Sequence, residues 1–149
     1  TFGWITAIVF SPDGEYWAVG DAIGVLYLWS YGSEQYHISL KAHQSMIRSI
    51  AFSPDGQRLL SGSFDGTVQL WEVRTGNCLL TINAHNQGVW SVAFAKNGDR
   101  LVSGGNDGTI KIWDCQTGQC LQTLPNQSPV RSIALTSDQR YLVSGVRCV

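Results

Sequence analysis

The strongest constraint on what this chain can fold into is that it repeats itself every 42 residues. Phe10, Phe52 and Phe94 stand 42 apart, with Leu135 following at 41, and the same step separates Trp29, Trp71 and Trp113, as well as His43 and His85. The stretch SGSFDGTVQLWE at 61 to 72 is echoed by SGGNDGTIKIWD at 103 to 114, and FSPDG occurs at 10 to 14 and at 52 to 56, with FAKNG at 94 to 98. A period of this length marks an array of supersecondary units, none of which buries its apolar surface alone.

The second unit contains four runs of strand character, MIRSIAF, QRLLSGS, TVQLWEV and CLLTINA, separated by the turn signals PDG, FDG and RTGN. Each unit therefore reads as a four-stranded antiparallel meander. Asp65-Gly66 and Asp107-Gly108 are expected to form two-residue turns from the second strand to the third. Runs such as IRSIAF and WSVAF are apolar on both alternating sets of positions, so both faces of each small sheet need cover. Radial stacking of one sheet against the next supplies that cover, which is the logic of a β-propeller. The units run approximately 1–43, 44–85, 86–127 and 128–149, the last half present, giving fourteen strands in three and a half blades.

Composition agrees with an all-β reading. The 149 residues are 44% hydrophobic and 14% charged with sixteen Gly, which suits a turn-rich folded chain and argues against disorder. Ten basic and eleven acidic residues give a net charge of −1. With Lys and Arg scattered, nothing draws the whole molecule to nucleic acid or an anionic membrane. No run reaches the roughly 18 apolar residues of a membrane span, and TFGWITAIVF lacks the basic start of a signal peptide. A soluble cytoplasmic protein is expected. Of the four cysteines, Cys78, Cys115, Cys120 and Cys148, Cys78 and Cys120 fill the same slot in GNCLLTI and GQCLQTL, and Cys115 and Cys120 have no second ligand pair near them, so reduced thiols are expected rather than a disulfide or zinc site. No P-loop, dinucleotide fingerprint or H-E-x-x-H is present, and no cofactor or metal is expected.

The units resemble WD40 repeats. The literal Trp-Asp pair is Trp113-Asp114, with Trp71-Glu72 and Trp29-Ser30 as variants, and Ala42-His43 and Ala84-His85 stand at the usual Gly-His start. The close likeness between units is most similar to bacterial WD40 arrays. The resemblance implies a β-propeller of four-stranded blades, in a family whose rings most often hold seven. Gln139 replaces the turn glycine, Cys148 takes the slot of Asp65 and Asp107, and the chain starts on Thr and departs from the pattern at VRCV. The expectation is a fragment of a longer signalling or regulatory protein. Its ring would be completed by the remaining blades or by a second copy of the chain.

The recurring Ser, His and Asp admit two readings. A hydrolase would use Ser61, His43 and Asp65, with Ser103, His85 and Asp107 as a second set. Against it, the sequence shows no G-x-S-x-G elbow and no oxyanion loop, and the serines lie within strands. The family resemblance implies instead a hydrogen-bonded tetrad inside each blade: His43, Ser61, Asp65 and Trp71, then His85, Ser103, Asp107 and Trp113. Val19 and Ile23 hold the Ser and Asp slots of the first unit, which keeps Trp29 alone. A non-catalytic protein-interaction scaffold is therefore expected.

In the family, partners dock on the face around the central channel, at the starts of the first strands and just before the turn Asp. Those positions are Thr6, Arg48, Trp90 and Arg131, then Trp4 and Met46 two residues upstream, then Phe64 and Asn106. They vary where the repeats otherwise agree, and they are rich in the Trp and Arg that anchor interfaces. Arg48, Trp90 and Arg131 fall on three successive blades, a pattern suited to an acidic or phosphorylated peptide. Phosphopeptide or nucleic-acid recognition through Arg48 and Arg131 is the alternative reading.

Overall fold

The computed structural model describes residues 3–136 and the backbone of 142–145. The expectations placed on Gln139, Cys148 and the VRCV tail lie outside the described residues. Each meander forms where the turn signals place it. The first sheet comprises β1 (Ile5–Phe10), β2 (Tyr16–Asp21), β3 (Val25–Ser30) and β4 (Ile38–Lys41). The second comprises β5 (Ile47–Phe52), β6 (Arg58–Ser63), β7 (Thr67–Glu72) and β8 (Cys78–Asn83). The third comprises β9 (Val89–Phe94), β10 (Arg100–Gly105), β11 (Thr109–Asp114) and β12 (Cys120–Pro125), and β13 (Ser132–Leu135) pairs with β14 (Leu142–Gly145) in a fourth. Neighbours in sequence are neighbours in each sheet and all pairs are antiparallel. The result is three complete blades and a two-stranded fourth sheet, with the ring not closed. No helix occurs among the described residues, so none is long and apolar enough to cross a membrane.

The turn from second to third strand differs from the expected two-residue form. Three residues, Phe64, Asp65 and Gly66, connect β6 to β7, closed by Gly66 N–H to Ser63 O at 3.1 Å with Gly66 at φ 89°. The chain adds one residue because Asp65 must turn its carboxylate back onto the backbone. It accepts Thr67 N–H at 2.9 Å, and a left-handed glycine then re-enters the strand.

Blades pack front to back, each Trp-bearing front against the back of the blade before it. Ala18, Leu26 and Leu28 of the first blade meet Ile47, Leu59 and Trp71 of the second, and Leu60, Val68 and Leu70 meet Val89, Leu101 and Trp113 of the third. A glycine on each second strand makes the fit close. A Cβ on Gly20 would lie 2.5 Å from Ile47 Cγ2, on Gly62 2.8 Å from both Val89 Cγ1 and Val92 Cγ1, and on Gly104 2.5 Å from Val130 Cγ1. The residue at the start of β5 and of β9, and Val130 just ahead of β13, is thus a knob seated in a hole that only glycine leaves open. Hydrogen bonds cross the same seams, from Val92 N–H to Ser49 Oγ and from Ile133 N–H to Ser91 Oγ, both at 3.1 Å.

Candidate functional site

Two polar arrangements stand out, one inside the blades and one on their rim. Inside the second blade, His43 Nε2 lies 2.7 Å from Ser61 Oγ, and Trp71 Nε1–H donates to the same oxygen at 2.9 Å. His43 Nδ1 lies 3.2 Å from Asp65 Oδ2 and 2.9 Å from Thr67 Oγ1. An ionised carboxylate only accepts, so Nδ1 carries the imidazole proton and Nε2 accepts the Ser61 hydroxyl. The third blade repeats the chain of contacts: His85 Nε2 to Ser103 Oγ at 2.8 Å, Trp113 Nε1 to Ser103 Oγ at 2.9 Å, and His85 Nδ1 to both Asp107 oxygens at 3.0 Å.

The connectivity from Ser through His to Asp is that of a hydrolase triad, and burial decides what it can do. Ser61 and Ser103 are both 0% exposed, and each hydroxyl oxygen already receives an indole N–H. No substrate carbonyl reaches such an oxygen. Burial holds the His43 and His85 pKa values below the ordinary imidazole value, against the opposing pull of Asp65 and Asp107. Burial also works to raise the two aspartates, but hydrogen bonds from Thr67 and Gln44, or from Thr109 and His85, outweigh it and leave both lowered. Neutral imidazole beside ionised carboxylate is therefore the state near neutral pH. Thr67 and Thr109, whose hydroxyls donate to Asp65 at 2.6 Å and Asp107 at 2.7 Å, complete each set. Sequence reasoning missed them, although both stand two residues after the turn Asp.

The first blade solves its turn differently. Asp21, on the slot of Ser63, is 0% exposed and accepts Ile23 N–H at 3.0 Å and Val25 N–H at 2.8 Å, so one carboxylate supplies bonds that Ser63 and Asp65 divide between them. Trp17 stacks on Trp29 with ring centroids 4.2 Å apart, and Tyr27 and Tyr36 lie against it.

On the rim, five of the eight sequence-selected positions come together around one indole. The Arg48 guanidinium lies 4.8 Å from the Trp90 ring centroid and that of Arg131 4.7 Å, one from the blade on either side. Phe64 meets the ring edge-on at 4.8 Å, and Trp90 Nε1–H donates to Asn106 Oδ1 at 3.0 Å. Gly88 permits this approach, since its φ is 96° and a Cβ there would come within 3.2 Å of the Phe64 backbone. Arg48, Arg131 and Phe64 are exposed and Trp90 is half-buried. Among the described residues the only carboxylates within ion-pair distance of a basic group are Asp65 and Asp107, each beside a neutral imidazole, so neither guanidinium has a carboxylate partner.

The other three positions lie differently. Met46 is joined to Phe64 through the backbone, its carbonyl accepting Phe64 N–H at 3.0 Å. Trp4, 87% exposed, holds the matching place in the first blade, where its carbonyl accepts Ala22 N–H at 2.8 Å. The Thr6 hydroxyl turns into the seam between blades and is shared between Ile47 O at 2.5 Å and Gly20 O at 3.1 Å. It ties blades together instead of facing outward.

A family model described as WD domain, G-beta repeat matches residues 34–72, 76–114 and 118–148. The first two matched units each begin ahead of the outermost strand of one blade and run through the inner three strands of the next, so each sequence unit straddles a seam. No curated relative matches the chain.

Proposed function

Because the chain belongs to the WD40-repeat family, whose domains are in general non-catalytic protein-interaction scaffolds, we propose that it docks an acidic or phosphorylated peptide on the rim formed by Arg48, Trp90 and Arg131. One observation carries this reading: two exposed guanidiniums without carboxylate partners converge over a single indole. The ring attracts both cations through its negative face and fixes their direction. Their unspent donors remain free for a carboxylate or phosphate, which guanidinium binds in bidentate fashion. Phe64 and Trp90 add apolar surface of the kind that anchors interface centres. The buried Ser-His-Asp-Trp sets support the blade from within and take no part in turnover.

The test is fluorescence anisotropy with labelled acidic, phosphorylated, neutral and basic peptides. Acidic and phosphorylated peptides should bind, and Arg48→Ala or Arg131→Ala should each cost about 1.5–3 kcal/mol, the range for a hydrogen bond to a charged group. Thermal stability should stay nearly unchanged. Equal binding of basic peptides, or unaltered affinity in both Arg variants, would remove the proposal.

A further inference from the structure

The turns that join the first strand of each blade to the second are not equally well held. In the β1–β2 turn the Ser11 hydroxyl donates to Asp13 Oδ1 at 2.5 Å, and Glu15 N–H donates to the same oxygen at 3.0 Å. The β5–β6 turn repeats this, with Ser53 Oγ at 2.5 Å and Gln57 N–H at 3.0 Å from Asp55 Oδ1. A proline, Pro12 or Pro54, fixes φ beside each aspartate. The β9–β10 turn lacks all three parts, since Ala95, Lys96 and Asn97 stand where Ser53, Pro54 and Asp55 stand. Its backbone keeps the same closure, Gly98 N–H to Ala95 O at 2.8 Å, as Gly56 N–H bonds Ser53 O at 2.9 Å. The side chain, however, is not held: Asn97 is exposed, and among the described residues its amide has no hydrogen-bond partner.

An unheld asparagine followed by glycine has one reaction open to it that needs no co-reactant but water. The Gly98 nitrogen gives up its proton and attacks Asn97 Cγ; the N–Cγ bond forms, the Cγ–Nδ2 bond breaks, and ammonia leaves with the proton, closing a five-membered succinimide. Water then opens the ring. Opening at Cγ leaves an aspartate in the ordinary linkage, whereas opening at the main-chain carbonyl leaves an isoaspartate whose backbone runs through Cβ and Cγ and is one carbon longer. Glycine matters because no Cβ crowds the attacking nitrogen. The Gly98 to Ala95 bond must open first, and without the proline and the serine this turn has more freedom to do so than the other two. Arg58 Nη2 donates to Gly98 O at 2.7 Å, which sets a positive charge beside the residue whose nitrogen becomes an anion. At Asp13 and Asp55, hydrogen bonds from the serine hydroxyls hold the carboxyls below the usual carboxylate range, and an ionised carboxylate is a poor electrophile.

We propose that Asn97 and Gly98 form a self-modifying site: in the folded chain the pair converts through a succinimide to aspartate and isoaspartate, and the isoaspartate releases the contact that Gly98 makes across the seam. In that contact Arg58 of the second blade reaches Gly98 O of the third and lies over the Phe94 ring at 5.7 Å. An extra backbone carbon just ahead of Gly98 displaces the acceptor from the guanidinium. Either product also adds a negative charge at the position where the other two turns carry Asp13 and Asp55.

Peptide mapping by mass spectrometry, with fragmentation that separates aspartate from isoaspartate, tests this on the folded chain held for weeks in mildly alkaline buffer. Asn97 should convert ahead of Asn77, Asn83, Asn86, Asn106 and Asn126, none of which precedes a glycine. Ala95→Ser, which restores the hydroxyl of the other two turns, should slow the conversion about fivefold, the factor of one ordinary hydrogen bond. The isoaspartyl form, separated by hydrophobic-interaction chromatography, should unfold at a lower urea concentration than Asn97→Asp, which carries the same charge in the ordinary linkage. Asn97 intact in the folded chain while the urea-denatured chain converts, another asparagine converting first, Ala95→Ser converting as fast as the parent, or equal urea midpoints for the isoaspartyl form and Asn97→Asp would each overturn the proposal.

Discussion

Replacing Ser61 by Ala asks the most of the buried network, because that hydroxyl is shared by two groups that have nowhere else to turn. Its oxygen accepts Trp71 Nε1–H at 2.9 Å and lies 2.7 Å from His43 Nε2, while Ser61 is 0% and His43 1% exposed. Removing one oxygen leaves a space smaller than a water needs. The indole donor and the imidazole acceptor are then both stranded, at about 1–3 kcal/mol each. The expected loss is roughly 2–6 kcal/mol, measured by urea unfolding followed by far-ultraviolet circular dichroism, since a change near Trp71 compromises fluorescence. A double-mutant cycle with Trp71→Phe isolates the shared part. Phe removes the donor, so the double variant should be less destabilised than the sum of the singles by about 0.5–3 kcal/mol. A loss for Ser61→Ala of under about 0.5 kcal/mol, the range of an ordinary surface change, would refute the claim that this oxygen braces the blade.

Three further outcomes follow from the same geometry. Burial lowers the His43 and His85 pKa values from 6.5, so between pH 6.5 and their lowered values the unfolded chain binds more protons than the folded one. Stability should be full above pH 6.5 and fall below it, with a limiting slope of roughly 2.7 kcal/mol per pH unit for two such groups; a flat urea midpoint from pH 7.5 to 5 would contradict this. Gly62→Ala drives a methyl into Val89 and Val92 and should cost about 1–3 kcal/mol by overpacking, whereas Gly14→Ala, with no neighbour within 4 Å but φ of 75°, should lose only the smaller cost of its turn conformation. Burial pushes the Cys115 thiol up to about 11 while Cys78 and Cys120 are exposed, so peptide mapping after a short alkylation at neutral pH should find Cys78 and Cys120 modified and Cys115 intact.

The repeat made the blades legible from sequence because a period shared by several residue types leaves little freedom: Phe10, Trp29 and His43 each return on schedule, and the strands follow between turn signals. The close approach of blades was not legible from residue type alone. Nothing in the sequence sets Gly20, Gly62 and Gly104 apart from the other glycines, and only their position opposite Ile47, Val89 and Val130 shows them as holes. Asp21 was missed because the first blade moves its turn carboxylate two places, from the slot of Asp65 to that of Ser63. Among the rim positions, Arg48, Trp90, Arg131, Phe64 and Asn106 come into one cluster. Thr6 shares their register yet faces a seam, because a short hydroxyl reaches a backbone carbonyl where the longer guanidinium side chains extend into solvent.

The most direct test of the docking claim is nitrogen-15 NMR of the indole N–H groups of the six tryptophans during titration with an acidic phosphopeptide at low salt. The account predicts a saturable shift of the Trp90 resonance, weakened by added salt, with the buried Trp71 and Trp113 resonances unmoved. A peptide that binds while Trp90 stays still, or one that moves Trp71 and Trp113 instead, would contradict it.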